Sequence, residues 1–183
     1  MIIGLLIFAA AAADTTEKFT EFTKFYKNGL DQISSNFTTI LINSDIEDTV
    51  ADRYVEKMEK LVLRIQAKHD KLSELDSISF PVLDIGGPDL YVTENLIDLG
   101  KPCQAVDSIK NELKNWARDF VEMAVKECDG DKCFKPTEGP LKSVETHQNW
   151  HNKNSKWIEQ FSEKIDSLIK KTRIALECGK FLD

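Results

Sequence analysis

The segment from Lys101 to Cys178 contains all four cysteines of the chain and two amphipathic stretches. The first stretch opens with Pro102, which suits a first helical turn because the N–H that proline lacks would have no partner there. Apolar residues then recur every three or four positions, the spacing of one helix face. This pattern predicts a helix to about Cys128. Its apolar positions are Cys103, Val106, Ile109, Leu113, Trp116, Phe120, Met123 or Ala124, and Cys128.

The second amphipathic stretch predicts another helix, with Ser143 as its N-cap and Gly179 just after its end. Glycine at that point suits the left-handed conformation that terminates many helices. A connector rich in proline and glycine precedes this helix, so the two stretches together predict a helical hairpin. The apolar positions of the second helix are Trp150, Trp157, Phe161, Ile165, Leu168, Thr172, Ala175 and Leu176.

The hairpin constrains the pairing of the cysteines. Cys103 and Cys128 lie at opposite ends of one predicted helix, roughly 37 Å apart, whereas a disulfide holds two Cα atoms about 6 Å apart. In an antiparallel hairpin Cys103 lies beside Cys178, and Cys128 is left to pair with Cys133 across a short loop. We therefore predict these two disulfides. Four free cysteines, or a zinc site without the usual Cys-x2-Cys spacing, are the alternatives.

Residues 1–13 have no ionisable side chain and consist of a short apolar core followed by alanines. This pattern is typical of a secretory signal peptide with small residues at its cleavage site, although no Lys or Arg precedes the core. The segment is too short to span a bilayer comfortably. A short membrane anchor and a buried first helix are the alternatives. The sequence thus predicts a secreted, extracellular protein with one domain over 14–183, and an even number of cysteines agrees with export.

The sequon Asn36-Phe37-Thr38 predicts a glycoprotein with a glycan on Asn36. The sequon lies inside a predicted helix and next to the apolar position Phe37. Glycosylation of Asn36 therefore requires its side chain to be accessible to the glycosylating enzyme.

Three further helices are expected. The first spans about Thr15 to Ile42, and Ser44 with Glu47 then forms a capping box for a second helix that ends near Leu72. So short a connection makes these two helices antiparallel neighbours. On the exposed face of the second helix Glu56 lies four residues before Lys60, a stabilising pair. The third is a short helix over 89–99.

These elements predict an all-α fold: an antiparallel, up-down-up-down four-helix bundle with one extra short helix, stabilised by disulfides. No further segment is long and apolar enough to predict a membrane span in the mature chain. The connection over 73–100 is the open point of this topology, because it could carry the chain to either end of the bundle.

Aromatic residues on the first helix and an apolar loop after the second suggest a ligand-binding wall, with core packing as the alternative. The candidate ligand-lining residues are Phe19, Phe22, Tyr26, Phe37 and Phe80. A carrier of a small, lipid-like apolar ligand held between the helices is therefore one hypothesis for the function.

The sequence offers little for catalysis. It has no Gly-x-Ser-x-Gly motif and no phosphate-binding glycine loop. His147 and His151 share metal-ligand spacing but no third ligand is evident, so we expect no metal, no cofactor and no catalytic residue. A net charge of −7 disfavours nucleic acid and anionic membranes. The leading hypothesis is a non-enzymatic secreted protein that binds an extracellular protein partner; its oligomeric state is left open.

Overall fold

The structure is a computed structural model that describes residues 24–73, 90–127 and 140–179. All regular secondary structure in these ranges is helical, as the sequence predicts. None of the described helices has the length and hydropathy of a membrane span. The helices are α1 (24–42), α2 (Asp48–Ser73), α3 (Leu90–Asp98), α4 (Pro102–Glu127) and α5 (Pro140–Ala175).

The helix starts differ from the sequence prediction in two places. Helix α5 begins at Pro140, so the predicted N-cap Ser143 lies inside its first turn. The start of α2 differs as well. The capping box assigns Ser44 to the start of α2, but its hydroxyl donates to the carbonyl of Ile40 at 2.5 Å and so closes the last turn of α1. The first backbone hydrogen bonds of α2 are instead accepted by Glu47, from Val50 and Ala51. A serine between two helices can satisfy either end, and here the carbonyl of α1 lies within its reach.

Left-handed residues end α3 and α5. Gly100 has a φ of 65°, and it separates α3 from α4. After α5 both Glu177, with a φ of 58°, and Gly179, with a φ of 110°, are left-handed. The predicted terminating role of Gly179 is therefore shared with a non-glycine residue two positions earlier.

One cluster of buried apolar side chains joins α1, α2, α4 and α5. Each helix contributes residues three or four positions apart, which is the helical period predicted from the sequence. The most deeply buried large side chains are Leu30, Ile33, Phe37, Leu41, Met58, Ile65, Val106, Ile109, Leu113, Ile165 and Ile169.

Polar contacts hold α3 against α4. The Thr93 hydroxyl lies 2.7 Å from that of Ser108 and also donates to the Glu112 carboxylate. Ser108 donates to the same carboxylate oxygen at 2.9 Å. Thr93 and Glu112 are buried. These bonds satisfy polar groups that would otherwise be costly to bury, and they place α3 along the first half of α4.

The contacts between α4 and α5 follow a regular order. The first residues of α4 lie beside the last residues of α5, where Cys103 is bonded to Cys178. Further along α4, Lys114 forms an ion pair with Asp166 of α5, with the Lys114 Nζ and Asp166 Oδ2 atoms 2.6 Å apart. Residue numbers therefore rise along α4 as they fall along α5.

The contacts between α2 and α5 have the same reversed order. The Tyr54 hydroxyl donates to the carbonyl of Lys171 at 3.4 Å, and the Lys68 ammonium lies 5.2 Å from the centre of a Trp157 ring. The predicted up-down-up-down order does not fit this pair, because it would point α2 and α5 the same way. In these contacts the residue order of α2 and of α4 is reversed relative to α5. The sequence left this point open, because the connection over 73–100 could carry the chain to either end of the bundle.

Candidate functional site: a cationic slot between two helices

Five positively charged side chains line an open groove of about 250 Å³ between α2 and α5. We call this groove the cationic slot. Its concentration of positive charge contrasts with the net charge of −7 of the whole chain. The lining residues are Lys57, Lys60 and Arg64 of α2, Lys164 and Lys171 of α5, and, between them, Leu61, Ser167 and Leu168.

The cations form two rows of equal length. On α2 the row runs from Lys57 to Arg64, and on α5 it runs from Lys164 to Lys171; each spans about 10 Å along its helix. Because the contacts of α2 and α5 run in reversed order, Lys57 lies toward the Lys171 end of the slot and Arg64 toward the Lys164 end. The slot therefore has a cation near each of its four corners, with Lys60 along one wall.

The floor of the slot is built by the hydrophobic core. Leu61 of α2 and Leu168 of α5 lie between the cationic rows and are almost fully buried, with 5% and 4% of their surfaces exposed. Lysine and arginine suit the rim of such a floor, because their aliphatic stems cover apolar surface while their charged ends stay in water. The same helical period that buries the leucines thus places the cations along the opening.

Only one of the five cations is neutralised within the described part of the chain. Lys60 pairs with Glu56, with Nζ and Oε1 2.5 Å apart. The hydrogen bond from Lys60, followed by its charge, lowers the pKa of the Glu56 carboxyl below its usual value. Lys57 has its ammonium 5.7 Å from the centre of the Tyr54 ring, a favourable cation–π distance.

The cations at the four corners of the slot form no ion pair in the ranges that the structure describes, although the charge of Lys57 contributes to the lowered pKa of Glu56. Neither Lys57 nor Arg64 on α2 forms an ion pair there, and the same holds for Lys164 and Lys171 on α5. Like charges that face one another across a groove oppose folding modestly and attract anions. The arrangement can therefore bind a negatively charged group without first breaking internal ion pairs at these four positions.

The predicted disulfide between Cys103 and Cys178 is present, with Cα atoms 5.8 Å apart. Arg173, in the last turn of α5, donates to the carbonyl of Cys103 at 3.4 Å and forms an ion pair with Asp107. The prediction that Cys128 pairs with Cys133 falls outside the described residues and stays a prediction.

The sequon residue Asn36 lies in α1 with 5% of its surface exposed. Its Oδ1 accepts a hydrogen bond from Gln32 at 3.0 Å. Its Nδ2, the atom that would bear a glycan, is buried and forms no hydrogen bond in the described part of the chain. Glycosylation of Asn36 stays a prediction, and this placement requires the side chain to leave its buried position first.

Two of the proposed ligand-lining residues belong to the core. Tyr26 donates from its hydroxyl to the carbonyl of Trp116 at 2.8 Å, and the two ring centres are 4.1 Å apart. Phe37 is fully buried. Neither residue lines the cationic slot. The other three residues in that hypothesis, Phe19, Phe22 and Phe80, lie outside the described residues.

The histidine pair does not form a described metal site. His151 is exposed on α5, whereas the side chain of His147 lies outside the described residues. Within the described ranges no three potential metal ligands lie close enough together to hold an ion.

The slot was not predicted from the sequence, although the sequence contained a signal for it. On α2 the cations recur at positions 57, 60 and 64, and on α5 at 164 and 171, both at helical spacing. The pair Glu56–Lys60 was interpreted only as an ordinary stabilising ion pair on the surface of a helix. The stripe of cations to which Lys60 belongs was therefore not recognised. The stripe becomes a site only when α2 and α5 are known to be neighbours.

Comparison with known protein families, with curated proteins and with solved structures found no match for this chain.

Proposed function

We propose that this chain is a secreted, non-enzymatic protein that acts by binding an extracellular protein partner through the cationic slot. The partner presents negatively charged side chains to the slot. The signal-like segment over 1–13 and the disulfide between Cys103 and Cys178 support export.

The fold that supports this surface is, in our proposal, a disulfide-stabilised antiparallel bundle of four long helices. Its neighbours in space follow the order α1, α2, α5, α4. The reversed contacts of α2 with α5 and of α4 with α5 support this order, and Asp31 of α1 lies within hydrogen-bond distance of Gln66 of α2 at 3.3 Å. Such an order places the two cationic rows on adjacent helices.

One observation carries the functional proposal. Four cations that form no ion pair in the described ranges surround a single opening in a chain whose net charge is −7. Complementary charge across an interface accelerates association and selects among partners. In an acidic chain such a concentration of positive charge is the surface best suited to an acidic partner.

The test compares two variants of equal charge change in an affinity capture from the native extracellular fluid. K57E/K171E reverses two corners of the slot, whereas K24E/K27E reverses two exposed lysines of α1 that do not line it. We expect K57E/K171E to capture at least tenfold less of a specifically cross-linked protein partner than the natural chain. K24E/K27E should capture as much of this partner as the natural chain. Equal retention by both variants, or no specific partner for the natural protein, would refute the proposal.

The carrier of a small apolar ligand is the second candidate, but no described contact favours it. Tyr26 and Phe37 are packed in the core, where they are already covered by protein. A carrier needs an internal cavity of roughly 300 Å³ or more. Native mass spectrometry of the purified protein before and after mild organic extraction tests this candidate, and a co-purifying apolar molecule would favour it.

A further inference from the structure

We infer that the disulfide between Cys103 and Cys178 is a thiol-exchange site, at which a small thiol attacks Cys178 and Cys103 leaves as a thiolate. This inference does not depend on the cationic slot and goes beyond the proposed function. It rests on three features of the disulfide: the groove beside it, the helix ends that contain its two cysteines, and the charges around them.

An open groove lies beside the disulfide, where α4 begins and α5 ends. Both cysteines line this groove, and both are half-buried. The volume of the groove is about 540 Å³, which is within the range of roughly 300–1,000 Å³ for small-molecule sites. Exposed disulfides exchange with thiols more easily than disulfides that are enclosed in a core. The groove therefore gives a small thiol access to the disulfide of the folded chain.

Cys103 lies in the first turn of α4, where a thiolate is favoured. The first hydrogen bond of this helix runs from the N–H of Ala105 to the carbonyl of Lys101, at 3.0 Å. Cys103 follows Pro102 as the second residue of the helix. The N–H groups of a first turn have no partner within the helix and stabilise negative charge nearby. Cysteines at such positions therefore form thiolates more easily than other cysteines.

A positive side chain adds to this effect at Cys103. The Arg173 guanidinium donates to the carbonyl oxygen of Cys103 at 3.4 Å. It also pairs with Asp107, which offsets part of its charge. A neighbouring arginine stabilises a thiolate, and a more stable thiolate is the better leaving group in thiol–disulfide exchange. Cys103 is therefore the cysteine that leaves, and Arg173 is a positioning residue that favours its departure.

Cys178 lies in the opposite electrostatic environment, just after the end of α5. Its N–H donates to the carbonyl of Arg173 at 2.9 Å, and the N–H of Glu177 donates to the carbonyl of Ile174 at 3.1 Å. With Glu177 left-handed, at a φ of 58°, this pattern is a Schellman termination. The carbonyl end of the helix and the exposed Glu177 carboxylate both disfavour a thiolate at Cys178. Attack at Cys178 is therefore favoured over attack at Cys103.

The reaction exchanges sulfur–sulfur bonds. The attacking thiolate forms a bond to the Cys178 sulfur as the bond between Cys103 and Cys178 breaks, and Cys103 leaves with the electron pair of that bond. The product is a reversible thiol adduct on Cys178. A second thiolate then attacks the external sulfur of this adduct and releases Cys178. The disulfide is thereby reduced to two thiols, which take up the two protons that the external thiols lose, and the external thiols are oxidised to one disulfide.

The first experiment locates the adduct. The natural, oxidised chain is treated with reduced glutathione, quenched in acid at early times and alkylated, and its cysteines are identified by peptide mass mapping, which separates Cys103 and Cys178 from Cys128 and Cys133. We expect glutathione on Cys178 in at least tenfold excess over Cys103, and Cys103 alkylated instead. Equal adducts on the two cysteines, or an excess on Cys103, would overturn the direction of the exchange.

The second experiment asks whether the folded chain reacts. The initial rate of disulfide opening by glutathione is measured without urea and in about 1 M urea, which raises the unfolded population of a small protein at least about fivefold. We expect the two rates to agree within twofold, because the groove admits the thiol to the folded chain. A rate that rises in proportion to the unfolded population would show that the disulfide opens only on unfolding, and it would overturn the inference.

The third experiment tests the role of Arg173. Arg173→Gln removes the positive charge, and we expect it to slow the exchange about threefold because the leaving thiolate is less stable. A loosened helix end would speed the exchange instead, so the sign of the change separates the two effects. Arg173→Lys keeps the charge and should react within twofold of the natural chain. So should the control Arg53→Gln, at an exposed arginine of α2 that does not line this groove. Unchanged or faster exchange by Arg173→Gln would overturn the assigned role of Arg173.

Discussion

Helix α5 presents charge to its two neighbours in opposite ways. Toward α4, its Asp166 lies between Lys110 and Lys114, at 3.4 and 2.6 Å, and its Arg173 pairs with Asp107. Toward α2, its Lys164 and Lys171 face further cations across the slot. The α4 face uses charge to fix the register of two helices, whereas four cations on the α2 face form no ion pair in the described ranges.

The difference shows which charges the fold needs. Ion pairs on the α4 face and the disulfide at its end both hold the same two helices together. The α2 face is held by packing, as Leu61 and Leu168 are buried beneath the cations. Cations that neither pair nor pack into the core add self-repulsion, and a surface of that kind is explained by a ligand more readily than by stability.

The largest effect on stability should come from removing the disulfide that links the start of α4 to the end of α5. Replacing both Cys103 and Cys178 by serine opens a loop that the bridge closes across a sequence separation of 75 residues. We expect the free energy of unfolding to fall by about 4 kcal/mol, because the bridge restricts the conformations of the unfolded chain. Urea denaturation checks this, and a loss below about 1 kcal/mol would show that ion pairs and packing already secure this face.

A second prediction asks how far packing alone positions α4. A Cβ atom on Gly29 of α1 would lie 2.5 Å from the Trp116 ring of α4, which is much closer than van der Waals contact. The Trp116 ring already packs against Tyr26. We expect Gly29→Ala to destabilise the protein by about 1–3 kcal/mol through overpacking, even though alanine favours helices. Thermal unfolding checks it, and an increase in stability would mean that the ring moves away freely.

The third prediction concerns pH and the Asp166 carboxyl. Burial alone would raise its pKa, but the hydrogen bonds and charges of Lys114 and Lys110 outweigh that effect and lower the pKa below the ordinary 3.8. The stabilisation by these pairs is therefore fully present above about pH 4 and is lost as the pH falls through the lowered pKa of the folded state.

Because the Asp166 side chain is 45% exposed, solvent screening limits this contribution to about 0.5–1 kcal/mol. We expect Asp166→Asn to lower the free energy of unfolding by that amount at pH 7 and by less at pH 3, as measured by urea denaturation at both values. An unchanged difference between the two pH values would contradict the assigned role of the carboxylate.

Much of the α4–α5 region could be predicted from the sequence, because its constraints are local or covalent. The apolar period gives both helices, and helix length excludes a bond between Cys103 and Cys128. An antiparallel hairpin then places Cys103 beside Cys178, the partner that the structure shows. The order of the helices could not be predicted in the same way. The connection over 73–100 is long enough to reach either end of the bundle, so no local rule decides it.

The cationic slot could not be predicted without knowing the order of the helices. Sequence periodicity places Lys57 and Arg64 on one stripe of α2 and Lys164 and Lys171 on one stripe of α5. It does not show that the two stripes face each other, because this follows only from packing between residues far apart in the chain. The burial of Asn36 was similarly out of reach, since a sequon specifies the acceptor residue but not its surroundings.

The central claim is that the cations of the slot serve a partner and not the fold. Urea denaturation of K57Q/K171Q without any partner tests it most directly. Relief of like-charge repulsion gains about 0.2–0.5 kcal/mol per pair, whereas loss of the contact between Lys57 and the Tyr54 ring costs about 0.5–1 kcal/mol. The stability of the variant should therefore differ from that of the natural chain by less than about 1 kcal/mol. A loss of more than about 1 kcal/mol would show that these cations hold the fold together and would contradict the claim.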